Sequence, residues 1–494
     1  MDTILSAVLS ELSTRSIHFF ISKISKPVPL DVEDCLRRVL LRAQVIMDEA
    51  MGRHITNQAM LLQLVELRDA MHRGYYMIDT FRYQHHDEEE TKDEDVSRTP
   101  SLSIVNYVKH LRFSSRGGLA LKELQEAHDN LSSMILDVNE LVLFLTSYPR
   151  LYRQPYSIHL QLANCMFGRE MEAQLVINFL LHTDRHEGED LGLLPIVGPG
   201  QVGKTTLVAH VCKNERVRGH FSKILFFSIH SFTNDEVSNF EKACATEHQN
   251  HMSNSNIDRR LLVVVEFIGD LNENAWNRIY RASKQYVPSG SKIIVTSRSD
   301  EIVKFGTTRA LTLKYLSHES YWYFFKTITF GSTDPKMHPR LTQLAMLIAK
   351  MLNSSLIAGN ITACLLSDNF DVHFWGKVLT FFRGYFQRHI SRFGEHPIDL
   401  ICQNKPAHVA RMTIPSEEFM VQHQNECSLE EEVPQITFKD VMFGSVKPHE
   451  KFEVLTWKAR IPPYYSRVYT CEIQKLNTTA SKRKRSTKNG STLC

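Results

Sequence analysis

The chain has 494 residues, of which 43% are apolar and 23% charged, and its formal net charge is +3. This composition is typical of globular proteins, excludes a chain that is disordered throughout, and gives no charge excess for nucleic acid or a membrane surface. Nine scattered cysteines include no C-x-x-C pair, which argues against a disulfide framework or a zinc site and favours a reducing compartment. Asp2 and Glu11 interrupt the N-terminal apolar stretch, which argues against a signal peptide, and no apolar run is long enough to predict a transmembrane helix.

Residues 1–148 are predicted to form an N-terminal four-helix bundle. Apolar residues recur at steps of three and four, which puts them on one face of each helix. The four segments with this pattern are Ile4–Leu12, Leu36–Ala50, Asn57–Phe81 and Leu119–Phe144. The acidic run His86–Asp95 is predicted to be a solvated loop. Such apolar stripes are typical of a bundle core, and a partner-binding face can coexist with them.

After a linker at 149–165, the pattern changes to short apolar runs separated by segments of helical character. The runs are Leu193–Val197, Ile224–Phe227, Leu261–Val265 and Ile293–Val295. Fully apolar strands that alternate with helices indicate a parallel sheet covered on both faces. The sequence therefore predicts a multidomain chain of α and α/β parts, with a P-loop α/β domain at 166–315. A helical subdomain at 316–383, a small β-containing or irregular region at 384–475 and a basic tail at 476–494 are predicted to follow.

The loop after the first apolar run carries a phosphate-binding motif. Gly198-Pro199-Gly200-Gln201-Val202-Gly203-Lys204-Thr205 matches G-x-x-x-x-G-K-[ST] at every position, and Thr206 follows it. Glycines let the backbone N–H groups approach phosphate oxygens, and the helix that begins near Gly203 directs its positive end at them. Lys204 is expected to neutralise β- and γ-phosphate charge, and Thr205 to offer its hydroxyl to Mg²⁺.

Two further residues are expected at the same edge of the sheet, because the carboxyl ends of parallel strands meet there. Glu266 ends the third run and is the candidate Mg²⁺ ligand beside Thr205, with Asp270 as an alternative. Glu266 is also a weak candidate for a catalytic acid, but Phe267 follows where a second acid would position the attacking water. Arg298 follows the fourth run and is a candidate contact to phosphate. The alternative for both Glu266 and Arg298 is an ordinary surface residue.

These motifs, in this order, resemble the NB-ARC domain of plant disease resistance proteins of the coiled-coil nucleotide-binding type, especially grass forms. Phe167-Gly168-Arg169-Glu170 resembles the motif that opens this domain, Gly290–Arg298 resembles the strand with the phosphate-sensing arginine, and Leu316–Phe325 resembles the helical motif after it. The N-terminal bundle resembles the family's Rx-like domain, with Ile78-Asp79 near its acidic motif.

The resemblance implies a switch that binds ADP or ATP with Mg²⁺, signals to protein partners through the N-terminal bundle and forms homo-oligomers. The chain departs from the family pattern at several points. Glu266-Phe267 replaces adjacent acids, Asn353–Leu356 replaces a Gly-Leu-Pro-Leu motif, and His408 is a poor substitute for a Met-His-Asp motif. The 494 residues also contain no leucine-rich repeats.

We therefore expect an adenine-nucleotide-dependent regulatory module in plant defence rather than an enzyme. The alternatives are an active P-loop ATPase and a decoy or scaffold without nucleotide. A cytoplasmic location is expected, and Lys482–Arg485 is either a nuclear import signal or part of a solvated basic tail. No specific nucleic-acid partner is expected.

Overall fold

The computed structural model describes residues 29–94, 120–137, 144–150, 167–182, 191–229, 234–252, 260–267, 273–427, 432–444, 446–448, 450–458 and 466–475. The chain divides into two compact units, Met1–Leu379 with Ala459–Tyr464, and Thr380–Lys458 with Tyr465–Cys494. The predicted helix Ile4–Leu12, most of the linker, Asp270 and the basic tail with Lys482–Arg485 lie outside the described residues.

The first unit begins with helices α1 (Pro29–Met51) and α2 (Gln58–Glu94), and residues 120–137 are also helical. Proline suits the first position of a helix because its missing N–H would have no partner there. The stripe predicted between Leu36 and Ala50 is buried and packs against apolar residues of the other two helices. The predicted apolar faces therefore form one core among these helices.

Helix α2 extends further than the sequence indicated. Its helical backbone continues to Glu94, so the prediction of a loop over His86–Asp95 is wrong for residues 86–94, and Asp95 lies outside the described residues. Glu and Lys are good helix formers, and adding a residue to an existing helix needs no new nucleus. A polar composition therefore did not mark the end of the helix in this segment.

A five-stranded parallel sheet follows in the first unit, with strand order β2-β3-β4-β1-β5. The strands are β1 (Gly192–Val197), β2 (Lys223–Ile229), β3 (Leu261–Phe267), β4 (Lys292–Ser297) and β5 (Leu311–Thr312). The first four coincide with the four apolar runs, which confirms the predicted parallel α/β fold. The strand β5 has only two residues and was not predicted, because a pattern of period two needs more residues to be visible.

Alternate residues along the strands point to opposite faces of this sheet, and their apolar side chains fill two cores, one on each face. Helices of the first unit cover both faces or pack beside them. They are α3 (Glu170–Leu181), α4 (Lys204–Cys212), α5 (Glu215–His220), α6 (Asn234–Met252) and α7 (Glu273–Tyr286). A strand that is buried on both faces must be apolar at every position, which explains the uninterrupted runs in the sequence.

A helical extension completes the first unit. It contains α8 (His318–Phe330), α9 (Pro339–Met351), α10 (Leu356–Asp368) and the start of α11 (Val372–Phe393). Helix α11 continues past the boundary at 383/384 that the sequence suggested. Ser355 precedes α10 and caps it, because its side chain accepts a hydrogen bond from the N–H of Ala358.

The second unit contains an antiparallel sheet with strand order β6-β7-β9-β8. Its strands are β6 (Ala407–Ala410), β7 (Glu417–Cys427), β8 (Lys451–Lys458) and β9 (Ser466–Lys475), and its short helices are α12 (Pro397–Cys402) and α13 (Phe438–Met442). His408 lies on β6. None of the helices described here combines the length and apolar character needed to cross a bilayer.

Candidate nucleotide-binding site

The loop Gly198–Thr205 connects β1, which is buried along its whole length, with α4. The N–H of Gly198 donates to the carbonyl oxygen of Ser297 (3.3 Å), so the loop begins beside the end of β4. Gly203, the residue before α4, has a left-handed backbone with φ 96°. A Cβ atom on Gly198 would collide with the carbonyl oxygen of Leu313. These positions explain the glycines, since a side chain would be strained at Gly203 and blocked at Gly198.

The loop side chains differ in exposure. Val202 and Thr206 are buried, and Val202 belongs to the apolar core on the α4 side of the sheet. Pro199 is exposed, whereas Gly200, Gln201 and Thr205 are half-buried. Gln201 also has a positive φ of 58°. Val202 and Thr206 therefore anchor the loop to the fold, and Pro199, Gly200 and Gln201 form its surface.

Lys204 is the first residue of α4 and is only 8% exposed. Its Nζ donates hydrogen bonds to the carbonyl oxygens of Gly198 (2.6 Å) and Pro199 (2.8 Å). Burial and the nearby charge of Arg298 lower the pKa of Lys204 to about 8, against an opposing contribution from Glu266. The amine is thus held under the loop at the positive end of a helix, where an anion would stabilise its charge.

Thr205 and Glu266 meet at the same edge of the sheet. The hydroxyl of Thr205 donates to Oε1 of Glu266 at 2.5 Å. Glu266 is near the end of β3 and lies in register with Thr296 of β4. Hydroxyl and carboxylate oxygens are the donors that Mg²⁺ prefers, so this pair fits the ion that the sequence analysis assigned to it.

Phe267, by contrast, belongs to the apolar core. It is 2% exposed, and its ring packs edge-on against Trp276 with centroids 5.8 Å apart. It lies in the cluster that contains Val263 and Val265, on the face of β3 away from α4. An apolar ring in this position cannot take a proton from water.

Arg298 directly follows β4 and is exposed. Its charge contributes to the lowered pKa of Lys204, which indicates that the two cations are near one another. Tyr315 reaches the loop as well, because its hydroxyl donates to the carbonyl oxygen of Gly200 at 2.9 Å. Sequence reasoning missed Tyr315, since a single tyrosine after a two-residue strand carries no recognisable pattern.

A row of polar side chains on α2 contacts α3 and α8 within the first unit. Arg68 donates to the carbonyl oxygen of Gly168 (2.8 Å) and to Glu172 (3.3 Å). Nδ1 of His72 shares a hydrogen bond with the hydroxyl of Ser320 (2.8 Å). Further along α2, the hydroxyl of Tyr76 lies 3.2 Å from Nε2 of His318.

Asp79 ends this row of contacts. Its Oδ2 accepts from Trp322 Nε1 (2.9 Å) and from Lys326 Nζ (2.5 Å), and both Asp79 and Trp322 are buried. Arg68, His72, Tyr76 and Asp79 are spaced by four, four and three residues, so they share one face of the helix. The sequence analysis singled out Asp79 by resemblance but identified none of its partners.

Comparison with known proteins gives a consistent result. Residues 169–335 match the NB-ARC domain family. The chain is 22% identical over 229 residues to disease resistance protein RGA2 of Solanum bulbocastanum, with 43% of this chain and 23% of that protein covered. It is 21% identical over 284 residues to disease resistance RPP13-like protein 4 of Arabidopsis thaliana, with 53% and 32% covered.

The chain thus spans about a quarter to a third of the length of these two relatives. Among solved structures, a chain of the Drosophila ORC bound to DNA aligns with a TM-score of 0.29 and 15% identity, over 44% of this chain and 63% of that one. The range that matches the NB-ARC domain family, residues 169–335, includes the phosphate-binding loop, Glu266 and Arg298. Residues 169–335 are therefore an NB-ARC domain, in a chain that is similar to plant disease resistance proteins.

Proposed function

We propose that this chain binds ADP or ATP, together with Mg²⁺, in the loop Gly198–Thr205 and acts as a nucleotide-dependent regulatory module in plant defence. The observation that carries the proposal is the position of Lys204. Its amine is buried at the start of α4, at the carboxyl edge of a parallel sheet, with two loop carbonyl oxygens as partners. Burying a cation costs free energy, and a phosphate group in the loop would offset that cost.

Each residue of the site has a role in this proposal. The backbone N–H groups of the loop and of the first turn of α4 bind phosphate oxygens, and Lys204 pairs with their charge. Thr205 and Glu266 hold Mg²⁺, which when bound neutralises further phosphate charge. Arg298 is exposed at the same edge and close enough to Lys204 to influence it, which suits contact with a terminal phosphate.

The proposed role is regulation and not turnover. Hydrolysis needs a group that orients or deprotonates the attacking water, and Phe267 fills the neighbouring position on β3 with a buried ring. A nucleotide that binds two arrangements of the chain with different affinity shifts their populations without being consumed. The contacts of α2 with α3 and α8 are the part of the first unit whose geometry such a shift would change. Partner proteins, including further copies of the chain, would bind through the N-terminal helices.

The test is the nucleotide content of the purified chain. The protein is denatured, and the released nucleotide is identified and quantified by chromatography. Lys204→Ala removes the buried amine, whereas Lys213→Ala removes an exposed amine just after the same helix and serves as the matched control. We expect close to one ADP or ATP per chain in the wild type and in Lys213→Ala, and its loss in Lys204→Ala.

Two other results would contradict the proposal. A wild-type chain that is empty and does not bind added ADP or ATP with Mg²⁺ would leave a scaffold without nucleotide. Sustained phosphate release from ATP that is lost in Glu266→Gln would instead identify an active ATPase.

A further inference from the structure

Tyr315 contacts the phosphate-binding loop from a separate segment of the first unit. It lies between β5 and α8 and is 40% exposed, and its hydroxyl donates to the carbonyl oxygen of Gly200 at 2.9 Å. Gly200 and Gln201 share a peptide bond in the middle of the loop. The contact therefore acts on the loop backbone and not on a side chain.

Three successive carbonyl oxygens of the loop accept hydrogen bonds from side chains. Lys204 donates to those of Gly198 and Pro199, and Tyr315 donates to that of Gly200. A carbonyl oxygen carries partial negative charge and repels a phosphate oxygen, so an anion site turns such oxygens away and presents N–H groups instead. Tyr315 thus supplies the donor for the third of these carbonyl oxygens.

The same bond fixes the direction of an N–H group. A peptide unit is planar and trans, so the carbonyl of Gly200 and the N–H of Gln201 point in opposite directions. A donor that holds the carbonyl on the side of Tyr315 therefore holds the N–H on the other side. Gln201 has a positive φ of 58°, which costs free energy for a residue with a side chain, so this orientation needs support from outside the loop.

Tyr315 is also close in sequence to the start of α8. Ser317, two residues later, caps α8 by accepting a hydrogen bond from the N–H of Ser320 (3.2 Å). The hydroxyl of Ser320 is in turn 2.8 Å from Nδ1 of His72 on α2. The segment Leu313–Ser317 therefore joins the phosphate-binding loop to the end of α8 that contacts α2.

We propose that Tyr315 is a positioning residue for phosphate binding, whose hydroxyl holds the Gly200–Gln201 peptide with the N–H of Gln201 towards the phosphates. This inference rests on the proposed nucleotide binding and adds a means of regulating it. A shift of α8 that withdraws Tyr315 releases the peptide and lowers the affinity for nucleotide. Because linked equilibria are reciprocal, bound nucleotide favours the position of α8 in which the bond is made.

The test measures the Kd of ADP and of inorganic pyrophosphate, each with Mg²⁺, for the full chain by displacement of a fluorescent ADP analogue. Tyr315→Phe removes only the hydroxyl. Tyr280→Phe makes the same change on α7, which packs on the other face of the sheet, and is the matched control. We expect Tyr315→Phe to raise both Kd values by the same factor, about three- to tenfold, and Tyr280→Phe to change neither. Circular dichroism and thermal unfolding should match the wild type, since Tyr315 is exposed.

Gln201→Gly tests whether the hydroxyl acts through the backbone. Glycine adopts a positive φ without the cost that a side chain imposes, so the orientation that binds phosphate is well populated with or without the hydroxyl. In the Gln201→Gly background, Tyr315→Phe should therefore raise the Kd of ADP by less than about twofold. The same factor in both backgrounds would mean that Tyr315 acts by packing and would overturn its role in orienting the peptide.

Hydrogen exchange tests the link to α8. With both proteins saturated with ADP, the nucleotide should slow amide exchange at Ser320 and Tyr321, in the first turn of α8, in the wild type but not in Tyr315→Phe. Equal slowing in the two proteins would overturn the link.

The binding results distinguish this inference from the proposal on which it rests. A wild type that binds neither ADP nor pyrophosphate would overturn both. A wild type that binds them, with unchanged Kd values in Tyr315→Phe, would overturn the role of Tyr315 alone. A rise in the Kd of ADP but not of pyrophosphate would mean that Tyr315 contacts the nucleoside and does not orient the loop.

Discussion

Glu266 and Phe267 are neighbours in sequence, but their side chains lie on opposite faces of β3. Successive residues of a strand alternate between faces, so Glu266 shares a face with Val264 on the α4 side, and Phe267 shares the other with Val265. Glu266 therefore reaches Thr205 at the start of α4, whereas Phe267 contacts Trp276 of α7. One step along the strand separates a polar site from an apolar core.

The first prediction concerns Phe267→Asp, which restores an acid next to Glu266. We expect no gain in ATP hydrolysis, because the new carboxylate would point into the core beside Trp276. Removing the buried ring should lower the free energy of unfolding by about 3–5 kcal/mol, and a buried carboxyl adds to the loss. Phosphate release and denaturant unfolding measure the two effects.

Phe226→Asp is the matched control, because Phe226 is 55% exposed on the edge strand β2. Its replacement should change the free energy of unfolding by no more than about 1 kcal/mol. Faster phosphate release from Phe267→Asp at unchanged stability would mean that position 267 faces the nucleotide edge of the sheet, contrary to the packing described above.

The sequence predicts the residues of the phosphate-binding loop well, but it does not predict which residues contact Asp79. The phosphate-binding loop is recognisable because close approach to phosphate restricts residue types at fixed local spacing. The partners of Asp79 are more than 240 residues away in the chain, on α8. No local sequence pattern identifies Trp322 or Lys326 as hydrogen-bond donors to Asp79. Contacts between distant segments depend on the packing of whole elements, which residue patterns do not encode.

Among the helices, α2 makes two kinds of contact, each with a different face. One face contributes Leu61, Leu64 and Leu67 to the bundle core, and another carries the polar row that contacts α3 and α8. Apolar periodicity predicts the first face. A polar face, by contrast, is predicted to be exposed to solvent when only the sequence is known, even where it packs against another helix. His72 is an example, since it is buried and stacked against the rings of Phe167 and Tyr323.

The second prediction is that His72 makes the first unit sensitive to acid. Burial, together with the charges of Arg68 and Lys326, lowers the pKa of His72 to about 3. An unfolded histidine has a pKa of about 6.5, so below that pH the unfolded chain binds a proton that the folded chain does not. The stabilisation is complete above about pH 6.5 and is lost progressively as the pH falls towards 3, by up to about 1.4 kcal/mol per pH unit.

Urea unfolding at several pH values between about 7 and 4 measures this slope. His72→Gln should unfold more easily at neutral pH, because it loses the ring contacts, but its stability should fall less steeply with acid. His373→Gln replaces an exposed histidine of α11 and should keep the wild-type slope. Equal slopes in the wild type and in His72→Gln would show that His72 binds its proton in the folded chain.

The elements of the parallel sheet were predictable for a physical reason. Strands buried on both faces must be apolar throughout, so β1, β3 and β4 stand out from the helices between them, and the edge strand β2 is recognisable by its apolar run although it is partly exposed. In the second unit, strand-like alternation is visible but broken by Pro448, Pro462 and Pro463. The pairing of β9 with both β7 and β8 is a long-range arrangement that the alternation alone does not specify.

At the scale of the whole first unit, α3 links the nucleotide site with the N-terminal helices. Val176 and Leu180 of α3 belong to the same apolar core as Val208 and Val211 of α4. On its other side, Glu172 of α3 bonds to Arg68 of α2. We therefore expect a displacement of α4 to reach α2 through these packed side chains, because close-packed interiors resist deformation.

The third prediction follows from this arrangement and depends on the proposed nucleotide binding. Adding ADP to nucleotide-free protein should slow amide hydrogen exchange at the loop Gly198–Thr205 and also along α2 between Arg68 and Asp79. Lys204→Ala should abolish both effects, whereas Lys213→Ala should preserve them. Protection that remains confined to the loop would mean that the NB-ARC domain binds nucleotide without affecting the N-terminal helices. In that case the regulatory part of the proposal would fail even though its binding part holds.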